Sequence, residues 1–76
     1  MTQSFKAMAQ RIVNAETNFV ENVVEQFGFS EKQAQHILTI FIKEKAVKLD
    51  VSMGRYNLTH GIYWDKDVMI TALAIN

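Results

Sequence analysis

The sequence predicts a small α+β domain with the order helix, helix, β-hairpin, helix. Two observations carry that prediction. Apolar residues keep a helical period as far as residue 45, and from Val47 the period changes to two. Gly28, Gly54 and Gly61 stand at the joints of this pattern, and no proline interrupts any part of it. A length of 76 residues suits a single domain spanning residues 1–76.

The first helix is expected from about Ser4 to Phe27. Phe5, Met8, Ile12, Val13, Phe19, Val20, Val23, Val24 and Phe27 fall within one stripe roughly 160° wide at ~100° per residue. Lys6, Gln10, Asn14, Glu21 and Glu25 occupy the opposite face. Asn18 followed by Glu21 resembles a capping box and offers a second helix start. The hydrophobic phase is not reset there, which favours one long helix over two.

Gly28 fits the left-handed position past a helix end. Ser30 with Gln33 makes a capping box, and Phe29 sits where a hydrophobic staple begins. The second helix is expected from Glu31 to about Lys45, with Ala34, Ile37, Leu38 and Phe41 inward. Ile40 and Ile42 flank that face and widen the apolar arc to about 200°. Val47, Leu49, Val51 and Met53 then alternate with Lys48, Asp50 and Ser52, as do Tyr56, Leu58 and His60 with Asn57 and Thr59. A turn at Ser52-Met53-Gly54-Arg55 joins these into a hairpin. Asp65 can cap a last helix from Lys66 to about Ile75. Val68-Met69-Ile70-Thr71 would also suit a third strand, but Ala72, Leu73 and Ala74 favour the helix.

Composition narrows the function classes. A chain this short buries only about 60% of its unfolded surface, so small domains commonly gain stability from disulfides, metals or association. With no cysteine, disulfides and thiolate metal sites are excluded, and a homodimer is the expectation. No apolar run approaches the ~18 residues of a membrane span, and the N-terminus lacks a signal-peptide core. A cytoplasmic protein with no membrane partner is expected.

Catalysis has little support. Ser4, Ser30 and Ser52 each suit a terminus, a cap or a turn, and no Gly-rich phosphate loop is present. His60, Asp65 and Asp67 could be drawn as a metal site. The better reading has His60 closing a strand and both aspartates serving the last helix. His36, between Gln33 and Ile40 on a helix edge, reads as a polar surface residue, and Asn57-Leu58-Thr59 matches the glycosylation sequon only by chance in an intracellular chain. Neither enzymatic activity nor a cofactor is expected.

A helix, the turn Phe27-Gly28-Phe29-Ser30, a second helix and a hairpin resemble a winged helix-turn-helix over about residues 18–61. Ala46-Val47-Lys48-Leu49-Asp50 and Gly54-Arg55-Tyr56-Asn57-Leu58-Thr59 resemble that family's passage from recognition helix to wing. The resemblance implies double-stranded DNA as ligand. Lys32, Gln33, Gln35, His36 and Thr39 would then enter the major groove, with Lys48, Arg55 and Asn57 as wing contacts. The chain departs from the family in three ways. The family's separate leading helix would require a break near Asn14 to Asn18, and Val24 stands where a small residue is typical. Charge is also sparse. Residues 31–60 hold five Lys/Arg against three Asp/Glu, or +2, while the flanking segments are each −1. That surplus supports few phosphate contacts per chain, so DNA binding would need a dimer.

Protein association is the alternative. Ile40, Ile42, Tyr63, Trp64, Met69 and Ile70 (with Ile75 beside them) exceed what so small a core obviously absorbs. Tyr63-Trp64 could anchor an interface, or Trp64 could plug the gap between long helix and hairpin. Lys48-Leu49-Asp50, His60-Gly61, Asp67-Val68 and Ala72-Leu73 resemble small uncharacterised phage or prophage proteins. That resemblance implies a phage setting, with a host or phage protein as one candidate partner.

Overall fold

A computed structural model of the chain describes residues 2–75, with side chains from Phe5 onward. The order is α1 (Thr2–Phe27), α2 (Glu31–Lys43), β1 (Val47–Asp50), β2 (Arg55–Leu58) and α3 (Lys66–Leu73). This is the expected α+β arrangement, and it is compatible with a winged-helix-like fold. Helix α1 is unbroken, so Asn18 does not start a new helix. The segment after Asp65 is a helix and not a third strand.

Each joint has a local cause. Gly28, at φ +77°, ends α1, and its N–H donates to the Val24 carbonyl at 3.0 Å. The Ser30 hydroxyl accepts from Gln33 N–H at 3.1 Å, while the Gln33 side chain accepts from Ser30 N–H at 2.9 Å. That reciprocal box starts α2. The helix closes with Ala46 N–H on the Phe41 carbonyl at 2.8 Å and Lys45 N–H on the Ile42 carbonyl at 3.2 Å. These are the paired bonds of a Schellman ending, with Lys45 in the left-handed position at φ +58° where glycine is usual. Asp65 caps α3 by accepting from Asp67 and Val68 N–H groups at 2.7 and 3.2 Å.

The strands are shorter than the alternation suggested. They pair antiparallel, with Val47 opposite Leu58 and Asp50 opposite Arg55. Asp50 Oδ1 accepts from the Ser52 hydroxyl at 2.7 Å and from Met53 N–H at 3.1 Å, which folds the chain into the turn before Val51 and Met53 can pair. The Ser52 hydrogen bond, then that from Met53, holds the Asp50 carboxyl below its usual pKa. Gly54 occupies the turn at φ +64° and is buried against α1, where a Cβ would lie 3.7 Å from Arg11.

Packing puts α2 at the centre. Helices α1 and α3 lie against it, β1 meets it, and β2 runs along α1. The core joins Phe19 and Val23 of α1 to Ala34, Ile37, Leu38, Ile40 and Phe41 of α2 and to Met69 and Ala72 of α3. Phe19 is its aromatic hub, edge-on to Phe41, Tyr56 and Trp64 with centroids 5.7, 6.4 and 5.4 Å away. Among the described residues, no helix is long and apolar enough to cross a membrane.

Candidate functional site

The residues expected to read DNA do not converge. On α2, Lys32, Gln33, Gln35 and Thr39 are exposed. Gln33 is engaged in the capping box, and the Thr39 hydroxyl donates back to the Gln35 carbonyl at 3.0 Å. His36 is half-buried, with its Nε2 2.7 Å from the Ile75 carbonyl, where it can serve as donor and tie α2 to the end of the chain. Lys48 and Asn57 face each other across the hairpin. Arg55 and Asn57 line a cleft against α1 with Asn18, Glu21, Asn22 and Glu25. Gln35 and Thr39 line a different groove, between α1 and α2. Arg55 with Asn57, and Gln35 with Thr39, are therefore brought together as two separate pairs, each beside α1.

The α1–α2 groove has a volume of about 480 Å³. Val13, Val20 and Val24 of α1 and Leu38 of α2 supply its apolar lining. Glu16, Glu21 and Glu25 of α1 and Glu31 of α2 also line it, and all four are exposed. This groove was missed because Glu21 and Glu25 read as a solvated helix back. The available signal was that every charge of α1 after Arg11 is acidic. A phosphate approaching Gln35 or Thr39 would enter a groove that those carboxylates line. The same electrostatics reach the hairpin. The Tyr56 hydroxyl is pushed above its ordinary pKa by burial and, to a lesser degree, by Glu16.

The expected interface residues divide. Met69 is fully buried and Ile40 nearly so, which corrects their assignment as partner-facing. Helix α3 covers the flank of α2 on which Ile40 lies, and Met69 is the α3 residue that enters the core. Trp64 is half-buried, 5.6 Å from Phe27 by ring centroid, and its indole N–H donates to the Gln26 side chain. Ile42, Tyr63 and Ile70 are exposed. Further exposed apolar residues are Phe5, Met8 and Val13 of α1 and Met53 in the hairpin turn. A second groove, of about 330 Å³, has walls from Ile40, Phe41, Ala46, Ile62, Val68, Ala72 and Ile75.

Three of the side chains weighed for chemistry have structural roles. Asp65 is the α3 cap, Ser30 the α2 cap, and Ser52 a donor to Asp50. Among the described residues, no group of three or more His, Cys, Asp or Glu is placed to hold a metal ion. No protein-family model, curated protein or solved structure matches the chain.

Proposed function

We propose that this chain is a non-enzymatic, winged-helix-like binding module whose ligand is protein. The observation that carries this reading is the groove beside α2. Where a winged-helix protein would face DNA, Gln35 and Thr39 share a lining with four glutamates and with Val13, Val20, Val24 and Leu38. An apolar lining with carboxylates suits a peptide surface and repels a polyanion. The exposed Phe5, Met8, Val13 and Met53 add apolar area for the same purpose. A fold of this kind does not itself select DNA.

DNA remains a second reading on one observation. Lys32 and Lys43 stand exposed on α2, with Lys45 and Lys48 just beyond it. One titration separates the two readings: fluorescence anisotropy of a labelled mixed-sequence duplex at salt from ~20 to 200 mM, where phosphate contacts give a log–log slope. The protein reading expects no binding at the lowest salt. Binding with a slope of several units, blunted by Lys32→Ala or Arg55→Ala, would overturn it and install DNA as the ligand. The short likenesses to phage proteins favour a phage or prophage setting for either ligand.

A further inference from the structure

We infer that the open edge of β1 receives an extended, acidic peptide strand from a partner protein, paired antiparallel. This edge is a site apart from the α1–α2 groove. Hairpin register fixes which backbone groups are free. Thr59 N–H donates to the Ala46 carbonyl at 2.8 Å, so Ala46 and Thr59 face each other as a hydrogen-bonded pair. Antiparallel pairs alternate in type, which makes Lys48 with Asn57 and Asp50 with Arg55 the next bonded pairs. Val47 and Leu49 therefore turn their N–H and C=O groups away from β2. Among the described residues, none of these four groups meets a partner within the chain. The outer edge of β2 differs, because β2 lies along α1.

Four outward groups at strand spacing suit strand addition, where main-chain hydrogen bonds give affinity and alternate side chains give selectivity. The side chains of β1 set the sequence class. Residues added opposite Val47 and Leu49 share their face, and both of these are half-buried and apolar. The residue between them lies opposite Lys48, which is exposed. A groove of about 740 Å³ is lined by all of β1 together with Lys45. Among the described residues its one carboxylate is Asp50, which already accepts from Ser52 and Met53. Lys45 and Lys48 are left to meet an acid, so the matching strand reads apolar, acidic, apolar.

A second copy of the chain fits this edge poorly. Pairing about Lys48 sets two lysines directly opposite. Pairing about Leu49 relies on Val51, which lies in the turn with its carbonyl accepting from Gly54 N–H at 3.3 Å. Pairing about Val47 relies on Lys45, held in the left-handed region at φ +58°.

NMR titration of the isotope-labelled chain with the capped peptide acetyl-Thr-Val-Glu-Val-Thr-amide tests this inference. Saturable shifts are expected, largest at the Val47 and Leu49 amides, with slower hydrogen exchange at both. Methylating both valine nitrogens of the peptide should weaken binding about tenfold or more, since those N–H groups face β1. Methylating the glutamate nitrogen, which faces away, should change binding less than about twofold. Lys48→Glu, at an exposed position, should weaken this peptide and favour its lysine-centred analogue. Absence of shifts at Val47 and Leu49 overturns the inference, as does an equal or reversed effect of the two methylations. Failure of the α1–α2 reading is seen separately, as salt-dependent duplex binding.

Discussion

The two halves of α1 have the same apolar period and opposite fates. In the second half, Phe19 and Val23 are buried under α2, with Tyr56 and Trp64 against the Phe19 ring. In the first half, Phe5, Met8 and Val13 continue the stripe into solvent, and the hairpin turn reaches that half at Arg11. Helix α1 is twice the length of α2, 26 residues against 13, so part of its stripe outruns its cover. A continuous hydrophobic phase thus specifies a helix without specifying where its core lies.

Matched truncations break the comparison most sharply. Phe19→Ala removes the ring that joins both long helices to the hairpin and is expected to cost about 3–5 kcal/mol, enough to unfold so small a domain. Phe5→Ala is expected to stay within about 0.5 kcal/mol. Urea midpoints of the two variants decide it. Similar midpoints would mean that Phe5 has a partner within its own chain.

Next in size is the turn that supports the first half. Gly54→Val forces a β-branched residue into the left-handed region and is expected to cost about 2 kcal/mol, read as a lower thermal midpoint. A Cβ there would meet Arg11 at 3.7 Å, an ordinary contact, so Gly54→Asn should recover part of the loss. Equal midpoints for the two variants would shift the cause from backbone strain to crowding.

The smallest effect concerns pH. Asp50 is held in its charged form by Ser52 and Met53, so its folded pKa lies below the unfolded value. Its contribution is complete above the unfolded carboxylate pKa of about 4 and is lost as pH falls through the lowered value. Stability of the wild type should therefore drop slightly more than that of Asp50→Asn between about pH 5 and pH 2. Parallel curves would remove the Asp50 carboxylate as a support of the turn.

Much of the fold was legible because its signals are local. The Ser30–Gln33 box, the Asp65 cap, Gly28 and the change of period at Val47 each act within a few residues, and each appears where expected. The ending of α2 was less legible, because Lys45 takes a left-handed position that composition assigns to glycine. The candidate site was least legible. Ile40 and Met69 are buried by the docking of α3, a tertiary event with no local signature. Strand β2 lies along α1, so Arg55 and Asn57 line a cleft with Glu21 and Glu25 that does not include Gln35 and Thr39. The alternation held only for Val47 with Leu49 and Tyr56 with Leu58, and it carried no information on which helix each strand would lie along.

Two hydrogen bonds tie distant parts of the chain, Trp64 to Gln26 across 38 positions and His36 to Ile75 across 39. Each closes a long loop, and the entropy of closure must be met before the tie contributes. Helices α1 and α2, joined by a short turn, carry no such delay. Kinetically, the α1–α2 pair should form first, with Trp64 and α3 docking after the main barrier. Trp64→Phe is then expected to speed unfolding and leave refolding almost unchanged, a φ-value near zero, whereas Leu38→Ala slows refolding. Slowed refolding in Trp64→Phe would reverse that order. If the order holds, the segment that docks last is also the first to leave, and unfolding begins at the C-terminal end of the chain.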